Sequence, residues 1–143
     1  MAKVAVVTDS TSYIPKEYLE KYNITVTPQV LIWGNETFED GVDIQPDEFY
    51  RRLASAKVMP TTSQVSIPNM QKAFSGLIEK DYDVLGIFLS AKLSGTMQSA
   101  IHGRESLAQG KDKVQIVDSL STAMAMGFQV LAVARAASEG ASL

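Results

Sequence analysis

Three short polar clusters are where this chain could do chemistry. They read Thr8-Asp9-Ser10-Thr11-Ser12, Pro60-Thr61-Thr62-Ser63-Gln64 and Leu93-Ser94-Gly95-Thr96. They are rich in hydroxyls and poor in charge. The first and third follow apolar, strand-like runs, Val4-Ala5-Val6-Val7 and Val84-Leu85-Gly86-Ile87-Phe88-Leu89. In an open parallel sheet, ligands bind in the crevice beyond the carboxyl ends of the strands. Hydroxyls gathered there hold a polar head group without supplying charge. Gly95 allows close backbone approach at the start of a helix, and free N–H groups there suit a carboxylate or phosphate. The same residues also have a local use, since Ser and Thr commonly cap helices. Ser94 stands where a helix beginning near Gly95 would be capped, and Ser10 and Ser12 stand before another.

Asp9 follows a strand, which is where an aspartyl nucleophile of phosphoryl transfer stands. The pattern of haloacid-dehalogenase-type enzymes places a second Asp two residues later, and this chain has Thr11 there. The favoured reading of Asp9 is a carboxylate that accepts backbone N–H bonds in the strand-to-helix turn. The single histidine, His102, falls four residues after Gln98 on an expected helix and reads as a surface residue. No G-x-S-x-G elbow supports a serine hydrolase. No H-E-x-x-H or His cluster supports a zinc enzyme, and neither common glycine-rich nucleotide cradle is present. Met124-Ala125-Met126 reads as core or as the pliable wall of an apolar pocket.

The elements that must position these clusters follow from the pattern of apolar residues. Lys3–Val7 reads as a buried strand and Lys16–Tyr22 as a helix, with Pro15 in its first turn and Ser12 as cap. Ile24–Thr27 and Val30–Trp33 read as short strands. Gly34-Asn35 is a turn signal, and Thr37-Phe38 pairs back as a hairpin, so this region is expected to be antiparallel. Pro46-Asp47-Glu48 opens a helix to about Ala54, with acids at the positive end of its dipole. Lys57–Ser66 carries Pro60, lacks a helical period and reads as loop. Pro68 begins a helix to about Glu79. Val84–Leu89 is a second central strand, and Ser94–Ala108 a helix ended by Gly110. Val114–Val117 is a third central strand, and Ser121–Ser138 a final helix. Strands alternating with helices give an α/β fold with a mainly parallel sheet flanked by helices.

Bulk composition narrows the class of partner. The chain has 143 residues, 45% hydrophobic and 20% charged, which is enough for one domain with its own core. A net charge of −3 and the lack of a long basic run argue against nucleic acid. Cysteine is absent, which rules out disulfides, thiolate metal sites and cysteine nucleophiles. No apolar stretch approaches the roughly 18 residues of a membrane span, and the N-terminus lacks a signal-peptide apolar core. These features predict a cytoplasmic protein without stable membrane insertion. The chain stops just after a helix ended by Gly140, which reads as a piece of a longer protein.

Taken with Val117-Asp118-Ser119 and with the extension Met97-Gln98-Ser99-Ala100, the three clusters resemble the signature series of the DegV family, bacterial fatty-acid-binding proteins. Family members include the binding subunits of the fatty acid kinase system. The resemblance runs along the whole chain and implies that residues 1–143 are the N-terminal α/β domain of a two-domain protein. A C-terminal domain, absent from this sequence, then closes over one acyl chain. It further implies that the acyl carboxylate is held by Thr62 and Ser94, with Ser63, Gly95 and Thr96 beside them. No catalytic residue, cofactor or metal is implied; the implied partners are a long-chain fatty acid and a separate fatty acid kinase. The chain departs from the family pattern at Met97, at Ala91 and in Asp118-Ser119-Leu120-Ser121-Thr122-Ala123-Met124-Ala125. That last segment lacks the second serine and the glycine of D-S-x-x-x-S-M-G. Two other readings compete: a phosphatase or phosphotransferase using Asp9, and a protein-interaction domain whose exposed apolar face meets a missing half.

Overall fold

The computed structural model describes residues 3–143. Its central sheet has four strands, β1 (Lys3–Asp9), β2 (Thr25–Thr27), β6 (Tyr82–Phe88) and β7 (Val114–Asp118), in the order β2-β1-β6-β7. All three pairings are parallel, with Val6 opposite Leu85 and Phe88 opposite Asp118. Parallel neighbours need crossovers, and the helices α1 (Lys16–Lys21), α3 (Ile67–Ile78) and α4 (Thr96–Glu105) lie in them; α5 (Ala123–Ser138) follows the last strand and packs back on the sheet. The expected parallel α/β architecture is therefore the one observed.

Alternation along β1 sends Ala5 and Val7 to one face of the sheet and Val6 to the other. On the first face Ala5, Val7, Val84, Phe88 and Val114 pack against Met70 and Phe74 of α3 and Ala100 of α4. On the second face Val6 and Ile87 pack against Met126, Val130 and Ala134 of α5. The sheet is buried on both sides, which explains why its strands read as unbroken apolar runs. Helices α3 and α4 approach so closely that a Cβ on Gly103 would stand 2.6 Å from Met70 Cβ.

A smaller antiparallel sheet, ordered β4-β3-β5, sits beside the main one. It holds β3 (Val30–Trp33), β4 (Glu36–Glu39) and β5 (Thr61–Ser63). The β3–β4 hairpin closes through Gly34-Asn35, with Gly34 at φ 63°, as the turn signal predicts. Leu31 and Trp33 face α2 (Pro46–Leu53) and pack with Ile44, Phe38 and Phe49. The Arg52 guanidinium lies over the Trp33 ring, 4.5 Å from its centre, and pairs with Glu36.

Three local expectations give way. Thr61–Ser63 is not loop but strand, with Thr62 opposite Leu31. Its three exposed polar residues carry no alternation, so only its partner reveals it. Ser12 does not cap α1; it is buried in a 3₁₀ turn (Ser10–Ser12), and α1 starts after Pro15 with no side-chain cap. Helix α4 is shorter than expected at both ends, and Gly110, at φ 76°, opens the next turn rather than ending the helix. The α3–α4 contact predicts that Gly103→Ala costs about 1–3 kcal/mol through overpacking. Urea denaturation measures it, and an unchanged midpoint would contradict the contact.

Candidate functional site

The first polar cluster ends β1, and its main work is structural. Asp9 is fully buried, and its Oδ1 accepts hydrogen bonds from Thr11 N–H at 2.9 Å and from the Thr11 hydroxyl at 2.6 Å. Its Oδ2 accepts from Leu89 N–H at 2.9 Å, at the end of the neighbouring strand β6. That is the backbone-accepting role expected of Asp9. Asp118, at the end of β7, does the same from the other side. Its carboxylate accepts from Ala91 N–H at 3.2 Å and Leu120 N–H at 2.9 Å. The segment between β6 and α4 is thus tied at both flanks, and Leu93 N–H and Ser94 N–H both close onto Ser90 C=O. A loop held this way presents Ser94 at a set position.

Ser94 is half-buried at the mouth of α4, where Gly95 is the N-cap residue. The Ser94 hydroxyl accepts from Thr96 N–H at 3.1 Å, so it serves the helix start from just outside the cap. Gly95 matters for a specific neighbour: a Cβ there would collide with the side-chain amide of Gln64. That amide in turn donates to the Ser99 hydroxyl at 3.3 Å, bridging the second cluster to α4.

Strand β5 carries Thr62 to the same place from the small sheet. Thr62, Ser63, Ser94 and Gly95 all line one crevice of about 460 Å³ at the carboxyl ends of the main strands. Four of the five expected site residues are brought together. The fifth, Thr96, is fully buried behind Ser94, bonded to it and to Gln29. The apolar part of the wall comes from Leu31, Phe49, Leu89 and Leu93, and Tyr13 and Tyr50 complete the rim. Among the described residues no lysine, arginine or histidine lines the crevice, and its one acid is Asp40. Among the described residues no cluster of His, Asp or Glu could hold a metal ion.

Several wall residues were not legible beforehand. Gln29 is a lone polar residue between two short strands, and only the fold turns it toward α4. Tyr13 adopts a left-handed backbone, φ 50°, at the end of the 3₁₀ turn. Burial of part of its ring raises the phenol above the usual tyrosine value, with the Asp40 carboxylate and Tyr50 adding to the rise. His102, as expected, is an exposed helix residue, its ring 3.0 Å from the Gln98 amide.

A hydroxyl-lined crevice at the carboxyl edge of a parallel sheet stands where open α/β domains bind their ligands. The family model described as "Uncharacterised protein, DegV family" matches residues 3–143. The chain belongs to the DegV family. It is 39% identical over 142 residues to a DegV domain-containing protein of Caldanaerobacter subterraneus subsp. tengcongensis, covering 99% of this chain and 50% of that one. Among solved structures it is similar to DegV, a fatty acid binding protein from Bacillus subtilis. The TM-score is 0.88 and the identity 34%, over 100% of this chain and 50% of that one. It is also similar to a stearic acid-binding protein from Eubacterium ventriosum, with TM-score 0.87 and 28% identity, again over 100% and 50%. The chain spans about half the length of the curated relatives it matches.

Two outcomes follow from the site. Asp9→Asn turns an amide N–H toward backbone donors and should destabilise the fold by about 1–3 kcal/mol, read by denaturant unfolding. An unaltered stability would remove the clamp. Tyr13 should lose its proton at higher pH than a free tyrosine. Its removal in Tyr13→Phe should delete a component above the free-tyrosine range from an ultraviolet phenolate titration.

Proposed function

We propose that this protein binds one long-chain fatty acid, holds its carboxylate with the Thr62 and Ser94 hydroxyls, and presents it to a separate fatty acid kinase. The observation that carries the reading is the convergence of these two hydroxyls, from the small sheet and from the loop after β6, in one crevice. Similar solved proteins that bind fatty acids, from Bacillus subtilis and Eubacterium ventriosum, support the ligand class. Affinity comes from the tail, at about 0.8 kcal/mol per buried methylene. Orientation comes from the head, since hydrogen bonds to a charged group contribute about 1.5–3 kcal/mol each. Ser63 and Gly95 complete the head-group wall, and a second lobe closes over the acyl chain.

Its role is carriage rather than catalysis. The alternative, phosphoryl transfer on Asp9, meets a carboxylate that is fully buried and already accepting three hydrogen bonds. The cytoplasm is the place for the protein, since a kinase partner draws its nucleotide there. No helix among the described residues is long and apolar enough to cross a membrane.

The natural-length gene product should release a fatty acid when denatured and examined by mass spectrometry, or take one up when offered. If it neither releases nor takes up a fatty acid, the carrier reading ends. Thr62→Val and Ser94→Ala should each weaken fatty acid binding about tenfold; the melting temperature should hold in Thr62→Val and fall in Ser94→Ala, which also loses the bonds to Thr96. Wild-type affinity in both variants would remove the two hydroxyls from the head-group site.

A further inference from the structure

A second cavity lies against the head-group crevice. It holds about 570 Å³, and Ile14, Leu19, Val26, Pro28 and Val42 make its wall largely apolar. That volume is within the range of small-molecule sites. An acyl chain gains free energy wherever it buries methylenes, so an open passage would draw it sideways into this space. Three residues border both cavities, namely Tyr13, Asp40 and Pro46. Tyr13 has the largest side chain of the three and the only aromatic ring.

That ring is placed against the preference of its own backbone. Tyr13 has φ 50° and ψ 32°, left-handed values that a bulky side chain rarely adopts. Packing repays little of this, since the residue is 53% exposed. The flanks hold it instead. Asp9 caps the turn before it by accepting from Thr11 N–H at 2.9 Å. Ser12 C=O lies so close to α5 that a Cβ on Gly127 would stand 2.7 Å from its oxygen. On the other side Ile14 is buried in one cluster with Val6 and Met126. The phenol is raised by burial first, and then by the Asp40 carboxylate and by Tyr50, which belongs to α2. The ring therefore reaches from the turn after β1 toward α2, across the line where the two cavities meet. Backbone strain kept with so little return in packing gathers at binding sites.

We infer that Tyr13 is a specificity-determining residue: its ring is the partition between the head-group crevice and the adjoining apolar cavity, and it makes the site select a single unbranched chain. The inference rests on the fatty-acid reading of the crevice and adds to it a limit on the shape of the acid. Because the side cavity borders the head-group crevice, the part of a ligand that would enter it is a branch next to the carboxylate. With the ring in place such a branch meets a wall. With the ring removed it finds an apolar space of its own.

The test compares palmitate with its isomer α-hexyldecanoate, which has the same atoms arranged in two arms, in the natural-length protein. Wild type should prefer palmitate. Tyr13→Gly removes the ring and suits a left-handed backbone, so the turn keeps its shape. It should raise affinity for the branched acid relative to palmitate about tenfold. Tyr13→Phe keeps the ring and should keep the wild-type ratio. Val42 lines only the side cavity of the two and is 63% exposed, so Val42→Trp narrows that cavity without disturbing the core. Added to Tyr13→Gly, it should restore the preference for palmitate; alone, it should leave palmitate binding where it was. An unchanged ratio in Tyr13→Gly, a changed ratio in Tyr13→Phe, or no restoration by Val42→Trp would overturn the partition. So would weaker palmitate binding in Val42→Trp alone, because the chain would then already occupy the side cavity. If Tyr13→Gly does not fold, Tyr13→Asn, which also tolerates left-handed backbone, decides the matter by the same ratio. A wild-type protein that binds neither acid would overturn the carrier reading itself. A wild-type protein that binds both equally would overturn the partition alone.

Discussion

The site depends on one buried carboxylate. Asp9 ends β1 and spends both oxygens on N–H and O–H donors from its own turn and from the end of β6. A buried charge is tolerated only when it is so well bonded, and loss of a partner is then costly. The result is a fixed spacing between two adjacent strand ends. Asp118 repeats the arrangement from β7 and reaches Ala91. Between them, the segment that carries Ser94 is held without any side chain of its own having to pack deeply. This explains how an exposed loop, with Leu93 65% accessible, can still present a hydroxyl at a defined place.

On the proposed reading, this chain's part of the crevice meets a negative head with uncharged groups. Two devices serve this on the present reading: the N-terminus of α4, whose first N–H groups are free of intrahelical partners, and the hydroxyls of Thr62 and Ser94. Both are rigid because they are built into hydrogen bonds between elements rather than along one segment. Gln64 over Gly95 and Gln29 against Thr96 are each contacts between the small sheet's neighbourhood and α4. The small sheet therefore acts as the far wall of the crevice. Its own apolar packing, Leu31 and Trp33 against Phe49 and Ile44, keeps that wall in place.

How much of this was readable in advance differs by element. The β1 and β6 strands announced themselves, because strands buried on both faces are unbroken apolar runs. The β3–β4 hairpin was readable from Gly34-Asn35, because a tight turn imposes its own residue types. Strand β5 was not, because Thr61–Ser63 has neither alternation nor burial and exists only through its pairing with β3. The resemblance to the DegV series singled out Thr62 and Ser94 by motif, but it grouped Thr96 with them as an equal. In the fold Thr96 stands behind Ser94, fully buried, and Gln29 joins it from another segment.

Sequence alone determined what local physics controls: the parallel α/β class, the turn chemistry, the helix starts at Pro46 and near Pro68, and the stock of uncharged polar groups. It also determined the family, through motifs spread along the chain. Tertiary structure decided which polar groups meet. Thr62 and Ser94 line one crevice only because a polar edge strand pairs with β3 and because two strand-end aspartates hold the β6 loop beside it. The division has a physical reason. Periodicity and caps act over a few neighbouring residues, whereas a hydrogen bond between Gln29 and Thr96 is specified by the packing of every element between them.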